Sequence, residues 1–149
     1  MVIQENVTLI LTTCNLIEKG VLKCEKFWPD LDGCIKISLD EGTTVTQSQP
    51  EVNLSAHLIC RTFTVSNSDK KELTVRQLHY TGWPDHSVPD GDSMASFQLM
   101  LEHFINWILT SGYQKAAVHC SAGIGRTGTT ISLAHLIINL WAQKNADQE

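Results

Sequence analysis

Residues 118–128 read Val-His-Cys-Ser-Ala-Gly-Ile-Gly-Arg-Thr-Gly and are the most informative stretch of this chain. Apolar residues precede the stretch and a long apolar-periodic segment follows it, which predicts a strand, a loop of small residues and a helix. Glycines permit the left-handed turns with which backbone N–H groups surround an oxyanion, and the helix directs its positive N-terminus at the same point. The stretch therefore predicts a phosphate-binding loop between a strand and a helix.

Two reactive side chains bracket this loop. Arg126 presents a planar fork of N–H donors that matches two phosphate oxygens. Cys120 lies where loop and helix favour negative charge, so its pKa is predicted to fall below the ordinary value of about 8.5. Cys120 alone would indicate a buried structural thiol. Together with Arg126 and the glycines, it indicates the nucleophile of a covalent phosphoryl-transfer site.

The same glycines support an alternative. Gly123, Gly125 and Gly128 match the Gly-x-Gly-x-x-Gly fingerprint of dinucleotide-binding domains, which also lies between a strand and a helix. That fold needs further βαβ units, and an acidic residue about 20 positions on would here be Asp147 or Glu149 at the chain end. Because the fingerprint gives no reason for the cysteine and the arginine, it is the weaker interpretation.

A second candidate segment lies upstream, where residues 80–89 read Tyr-Thr-Gly-Trp-Pro-Asp-His-Ser-Val-Pro. An alkoxide or phenoxide that leaves phosphorus must be protonated, and Asp85 is the candidate acid. Flanking prolines and Gly82 indicate a lid with hinges, and Trp83 is a candidate packing anchor for it. Alone, an aspartate after a proline would indicate an ordinary surface turn.

These two segments together resemble the Cys-based protein tyrosine phosphatases. The family's signature, His-Cys-Ser-Ala-Gly-x-Gly-Arg-[Ser/Thr]-Gly, is matched at every position of residues 119–128, and its Trp-Pro-Asp loop at residues 83–85. Residues 18–29 resemble the family's Glu-Lys-Gly…Lys-Cys…Tyr-Trp-Pro segment. The order of the motifs and the Trp-Pro-Asp form favour the tyrosine-specific branch over the low-molecular-weight and dual-specificity branches.

The resemblance implies roles for particular residues. Cys120 would be the nucleophile, Asp85 the general acid and then base, and Arg126 the ligand of substrate and transition-state oxygens. Thr127 would hydrogen-bond the sulfur, and His119 would support the thiolate through its neighbours. The other expected substrate-binding residues belong to the loop or the lid: Ser121, Ala122, Gly123, Ile124, Gly125 and Trp83.

Two supporting residues are implied only by the resemblance. Glu18 would orient Arg126, and Lys23 would lie near the acid loop. The chain departs from the family at Gly82, where Ala, Ser or Thr is usual, and at Ser87, where Gly is usual. Lid closure is therefore expected to differ.

The implied fold is α/β, a twisted mixed central sheet flanked by helices. The implied function is hydrolysis of phosphotyrosine in signalling proteins through a cysteinyl-phosphate intermediate, with no cofactor and no metal. The family's domain extends further at both ends, so residues 1–149 are expected to form a single, truncated catalytic domain. This leaves an alternative, a phosphotyrosine-binding or regulatory fragment with an intact site that turns over poorly.

Composition limits the partners. With 11 Lys and Arg against 16 Asp and Glu, the net charge is −5, which argues against nucleic acid. No apolar run reaches about 18 residues, so no membrane insertion is expected. Five cysteines without Cys-x-x-Cys, zinc-ligand or disulfide-framework spacing favour a reducing compartment, and the expected location is cytoplasmic.

Periodicity predicts the remaining elements. Strands are expected at residues 7–11, 35–39, 54–62, 75–80 and 116–118, the last one buried, with a hairpin tip at residues 67–71. A helix is expected over residues 94–108, capped by Asp92 or Ser93 and ended by Gly112. Six apolar positions of the final helix are expected to face a core: Ile131, Leu133, Ala134, Ile137, Ile138 and Trp141.

Overall fold

The computed structural model describes residues 1–29, 37–40, 42–47, 49–84 and 87–146. Nine strands and two helices occur in these ranges. In chain order they are β1 (Val7–Thr12), β2 (Ile17–Glu18), β3 (Val21–Leu22), β4 (Ile37–Asp40), β5 (Thr43–Gln47), β6 (Val52–Ser55), β7 (Leu58–Ser66), β8 (Glu72–Tyr80), α1 (Gly91–Thr110), β9 (Lys115–His119) and α2 (Gly125–Ala146).

Seven of the strands form one mixed sheet. Its order is β4-β5-β7-β8-β1-β9, with β6 also paired to β7, while β2 and β3 form a separate two-stranded hairpin. β1 runs parallel to both β8 and β9, and the other pairs of the large sheet are antiparallel. The parallel strands end together, so Thr12, His79 and His119 are register partners at one edge of the sheet. This confirms the predicted α/β architecture.

The side chains of β1 point alternately to the two faces of the sheet and contribute to a core cluster on each. Leu9 and Leu11 belong to a core cluster with Met100 and Phe104 of α1. Ile10 points to a second cluster on the opposite face, where it packs with Phe63 and Trp28. α1 therefore covers one face of the sheet, and the segment that carries Trp28 covers part of the other.

Several predicted strands need correction. The alternation over residues 54–62 belongs to two strands, because residues 56 and 57 form a turn between β6 and β7. The strand predicted before the phosphate loop is β9, but its residues are only half-buried or exposed, since β9 is the last strand of the sheet. The hairpin tip at residues 67–71 is confirmed by the β7–β8 pairing. Ile35 and Cys34 lie outside the described residues.

The first helix begins earlier than predicted. Its N-cap is Asp90, whose backbone N–H donates to Ser93 Oγ at 2.8 Å. Ser93 therefore takes the third helical position of a capping arrangement and is not the cap itself. Ser111 is the C-cap, and Gly112 follows with a φ of 63°, as expected of a glycine that ends a helix.

The second helix buries less than its sequence suggests. Ala134 is 2% exposed and Leu133 packs against the core, but Ile131, Ile137 and Trp141 are 48%, 42% and 56% exposed. The prediction that six positions face a core was therefore wrong for these three, because the contacts of α2 with α1 and β9 leave the side that carries them exposed. Within the described ranges, no helix has the length and apolar character needed to cross a bilayer.

Candidate active site

The loop of residues 120–124 connects β9 to α2, as the sequence predicted. The residue after β1 holds the strand end in place: Thr13 N–H donates to the His119 carbonyl at 2.9 Å. Gly123 has a φ of 73°, a left-handed conformation that glycine adopts without strain. The chain can therefore turn sharply after Cys120 and enter the helix at Gly125.

Several hydrogen bonds surround the sulfur of Cys120. Burial by itself raises the pKa of this thiol. Two hydrogen bonds from Thr127 oppose that effect, one from its hydroxyl at 3.2 Å and one from its backbone N–H. The backbone N–H groups of Gly123 and Ile124 add to them, and together these bonds lower the pKa below the ordinary value. Because all four donors favour the anion, the thiolate predicted from the sequence agrees with the geometry.

Glu18 fixes the orientation of the Arg126 guanidinium. Arg126 Nη1 donates to Glu18 Oε1 at 2.5 Å and Nη2 donates to Oε2 at 2.9 Å, and both side chains are largely buried. A two-pronged ion pair of this kind fixes orientation as well as position. The Glu18–Arg126 contact implied by the resemblance is therefore present, although 108 residues separate the two partners.

His119 lies directly before the predicted nucleophile and is half-buried. Burial lowers its pKa in spite of a hydrogen bond to the Cys120 carbonyl, so the neutral ring predominates at neutral pH. Nδ1 lies 3.3 Å from that carbonyl, which can only accept, so Nδ1 carries the proton. Nε2 then accepts from the Thr12 hydroxyl at 2.9 Å. The ring is thus fixed in one tautomer behind the sulfur.

Sequence reasoning missed the polar residues that support this arrangement. Gln77 Nε2 donates to Thr12 Oγ1 at 2.9 Å, extending the chain of bonds behind His119. Asn15 donates its backbone N–H to Glu18 Oε1 and its side-chain amide to the Thr81 carbonyl, both at 3.1 Å. The signal available in the sequence was a polar residue inside or just after an apolar strand, which is rarely buried unless it is hydrogen-bonded.

A cavity of about 450 Å³ brings the predicted site residues together. Its walls include Cys120, Arg126, Glu18, Lys23 and Trp83. Ser121, Ala122 and Gly125 also line it, whereas Gly123 and Ile124 contribute N–H groups to the sulfur. The two supporting residues implied by the resemblance therefore meet the loop at one cavity.

The segment around the predicted acid borders the same cavity. Pro84, Ser87 and Val88 are among its lining residues. Asp85 and His86 lie outside the described residues. Trp83 is 8% exposed, packs on Phe97 with ring centroids 5.2 Å apart, and donates from Nε1 to the Ser87 carbonyl at 3.0 Å. Trp83 thus anchors both ends of the predicted lid to the core.

The unusual glycine of this segment has a steric reason. A Cβ atom at Gly82 would lie 2.9 Å from His57 and 2.9 Å from Ser93. The departure from the family pattern at this position therefore accompanies close packing between the β6–β7 turn and the start of α1. The predicted hinge is a tightly packed point of the structure.

Comparisons with known proteins agree with the motifs. The family model described as protein-tyrosine phosphatase matches residues 1–148. Receptor-type tyrosine-protein phosphatase eta of Mus musculus is 36% identical over 149 residues, which is 99% of this chain and 11% of that protein. Receptor-type tyrosine-protein phosphatase H of Homo sapiens is 35% identical over 148 residues, 94% of this chain and 12% of that protein.

Solved structures give the same result. The catalytic domain of human protein tyrosine phosphatase non-receptor type 18 superposes with a TM-score of 0.81 at 31% identity, over 95% of this chain and 48% of that one. A Trypanosoma cruzi protein tyrosine phosphatase superposes with a TM-score of 0.83 at 28% identity, over 96% of this chain and 49% of that one. The chain thus spans about half of these solved chains and about a tenth of the curated relatives.

The match over nearly the whole chain removes the dinucleotide-binding alternative and accounts for the cysteine and arginine that the alternative left unexplained. The chain belongs to the protein-tyrosine phosphatase family.

Proposed function

We propose that this chain hydrolyses phosphotyrosine in proteins through a cysteinyl-phosphate intermediate. The observation that carries the proposal is the environment of Cys120, whose sulfur accepts hydrogen bonds from Thr127, Gly123 and Ile124 beside the oriented guanidinium of Arg126. A stabilised thiolate next to phosphate-binding donors is what covalent phosphoryl transfer requires.

The reaction has two displacements. In the first, the Cys120 thiolate attacks phosphorus, an S–P bond forms, the O–P bond to the tyrosine breaks, and Asp85 gives its proton to the leaving phenolate. In the second, water attacks the phosphocysteine, Asp85 takes a proton from that water, and Cys120 leaves as a thiolate that Thr127 stabilises. Arg126 and the loop N–H groups hold the phosphoryl oxygens through both steps.

Phosphotyrosyl proteins are the proposed substrates. The relatives carry the name tyrosine phosphatase, and human non-receptor type 18 has been solved in complex with HER2 phosphopeptides. A reducing, cytoplasmic setting suits a site that needs a free thiolate, and the cysteines among the described residues are free. Comparing release of phosphate from matched phosphotyrosyl and phosphoseryl peptides tests this class, and equal rates on both would refute tyrosine selectivity.

The nucleophile is tested by Cys120→Ser. Serine keeps the backbone of the loop but does not ionise near neutral pH, so hydrolysis of para-nitrophenyl phosphate should be abolished while the fold is retained. Cys60→Ser is the matched control, because it removes a buried thiol from β7 that does not line the cavity. Vanadate should inhibit the parent and the control alike. Turnover in Cys120→Ser at the parent's rate would exclude Cys120 as the nucleophile.

The acid is tested by Asp85→Ala across aryl phosphates whose leaving groups differ in pKa. General acid catalysis is typically worth about 10²–10⁴-fold in rate, so the loss should be large for poor leaving groups and should shrink for those that need no proton. Asp69→Ala removes an exposed carboxylate from the β7–β8 turn and serves as the control. A uniform loss across the series would rule out the acid role.

A further inference from the structure

Two cysteines and a histidine meet at the strand end that precedes the phosphate loop. Cys14 follows β1, Cys24 follows β3, and His119 ends β9. Their potential ligand atoms all lie within 4.8 Å of one another. The Cys24 thiol donates to the Glu25 carbonyl at 3.2 Å, and neither cysteine lines the cavity described above. The cluster is therefore separate from the site of phosphate chemistry, although it shares His119 with the chain of bonds behind it.

These distances are close to those of a tetrahedral zinc site. Zn–S bonds of about 2.3 Å and Zn–N bonds of about 2.0–2.1 Å place tetrahedral ligand atoms roughly 3.5–3.8 Å apart. The three atoms therefore need to close by about 1.3 Å at most to share one ion. Cys14 is buried while Cys24 is half-buried, which leaves a solvent-side route for the ion and for a water in the fourth position.

The charge of the set suits a thiophilic divalent cation. Both cysteines are free thiols. Binding of Zn²⁺ would release both protons to solvent and form two S–Zn bonds. Two thiolates and a neutral imidazole cancel the 2+ charge of the ion, and a neutral assembly has the lowest cost in a buried place.

The hydrogen bonds of His119 suit a metal-binding histidine that coordinates through Nε2. Its Nδ1–H donates to the Cys120 carbonyl, and ligating histidines commonly donate their other ring N–H to a backbone carbonyl. Nε2 is the unprotonated nitrogen, and its present partner is the Thr12 hydroxyl, which a metal ion would replace. The tautomer needed for coordination is thus the one that the structure holds.

We infer that Cys14, Cys24 and His119 form a binding site for Zn²⁺ behind the phosphate loop, with the fourth position open to water. The sequence predicted no metal, because the three ligands lie in three separate segments and show no regular spacing. The inference is independent of the proposed catalytic function.

The test uses Co²⁺ as a spectroscopic substitute in protein that carries Cys120→Ser, which removes the catalytic thiolate as a competing ligand. The protein is reduced with a phosphine, freed of metal and titrated with Co²⁺. One equivalent should produce thiolate-to-cobalt charge-transfer bands with the intensity of two thiolates, together with tetrahedral d–d bands. Zn²⁺ should bleach them, since it binds such sites more tightly than Co²⁺.

Single ligand variants in the same background assign the site. Cys14→Ser and Cys24→Ser should each halve the charge-transfer intensity and weaken Zn²⁺ binding by at least about 100-fold. His119→Gln should weaken binding but keep the two-thiolate intensity. Cys60→Ser should change neither quantity. Circular dichroism checks folding. If Cys14→Ser prevents folding, Cys24→Ser, at a half-buried position, still tests the site.

Two outcomes overturn the inference. One is a cobalt complex without thiolate charge-transfer bands in the Cys120→Ser protein. The other is zinc affinity that stays unchanged when Cys14 or Cys24 is replaced in a folded variant, which would assign the ion to other ligands.

Discussion

At the scale of single residues, the chemistry of the site depends on how Cys120 is hydrogen-bonded. Burial works against the thiolate, and the donors from Thr127, Gly123 and Ile124 reverse that effect. Three of these donors are backbone N–H groups, which no side-chain substitution removes. The Thr127 hydroxyl is the part of this environment that mutagenesis can test.

Thr127→Ala should raise the pKa of Cys120, because the hydroxyl that donates to the sulfur at 3.2 Å is lost. A hydrogen bond to a charged group is worth about 1.5–3 kcal/mol, which corresponds to an upward movement of roughly one to two pH units. The measurement is the rate of iodoacetamide alkylation of Cys120 against pH, followed by mass mapping.

Thr129→Ala is the matched control for this prediction. Its hydroxyl donates to the Gly125 carbonyl within α2 at 3.0 Å and makes no bond to the sulfur. The alkylation profile of this variant should coincide with that of the parent. If Thr127→Ala and the parent share one inflection point, the hydroxyl does not stabilise the thiolate.

At the scale of elements, the predicted lid segment is held by packing at its base. Gly82 passes between His57 of the β6–β7 turn and Ser93 of α1, and Trp83 then enters the core beside Phe97. The elements that fix the lid are therefore a turn and a helix start that are distant from it in sequence. Their close approach leaves no room for a side chain at Gly82.

Gly82→Ala should destabilise the protein. The added methyl would meet carbon atoms of His57 and Ser93 at 2.9 Å, and overpacking of this kind typically costs about 1–3 kcal/mol. Urea unfolding followed by tryptophan fluorescence measures the loss in the free energy of unfolding.

The control is a glycine-to-alanine substitution at a position with room for a side chain. A Cβ at Gly128, within α2, meets no atom within 4 Å, so Gly128→Ala should leave stability unchanged or raise it by about 0.5–1 kcal/mol. Equal effects of the two substitutions would show that the close approach at Gly82 is not a real constraint.

At the scale of the whole molecule, a buried polar network crosses the sheet behind the site. Arg61 Nη1 donates to Gln77 Oε1 at 3.2 Å and to His79 Nδ1 at 3.1 Å, while His79 Nε2–H donates to the Cys14 carbonyl at 2.9 Å. The Arg61 guanidinium also lies over the Trp28 ring, 4.6 Å from its centroid. The network ties β7 and β8 to the segment after β1, and it requires His79 to be neutral.

The stability of the protein should therefore fall in acid. Burial, together with the neighbouring Arg61 charge, lowers the pKa of His79 from 6.5 to about 4. Between about pH 6.5 and pH 4 the unfolded chain binds a proton at this histidine that the folded chain does not, so the free energy of unfolding decreases as the pH falls. The loss from this residue is on the order of 3 kcal/mol.

Urea unfolding at several pH values checks this prediction against His79→Gln. Glutamine keeps a donor and an acceptor but does not titrate, so its stability should depend less steeply on pH across this window. His135→Gln, at an exposed position of α2, should follow the parent. Parallel curves for the parent and His79→Gln would show that His79 does not cause the acid loss.

Local sequence determined the parts of this protein whose chemistry lies within a few consecutive residues. The loop from His119 to Gly128 supplies its own strand end, glycine turn and helix start, so the proposed nucleophile and the predicted phosphate loop follow from one motif. The same holds for the strands that alternate clearly and for the hairpin between β7 and β8. Glu18 and Lys23 became predictable only through the resemblance to the family, because nothing near them in sequence indicates a partner.

Tertiary structure alone decided what depends on distant segments meeting. The hydrogen bonds of Arg126 to Glu18 and of Thr12 to His119, the packing that excludes a side chain at Gly82, and the meeting of Cys14 with Cys24 each join separate stretches of chain. The exposed face of α2 is a further case, since Ile131 and Trp141 have the helical spacing of core residues. Periodicity reports which residues share a face, whereas burial depends on which other elements pack against that face, and this is a property of the folded chain.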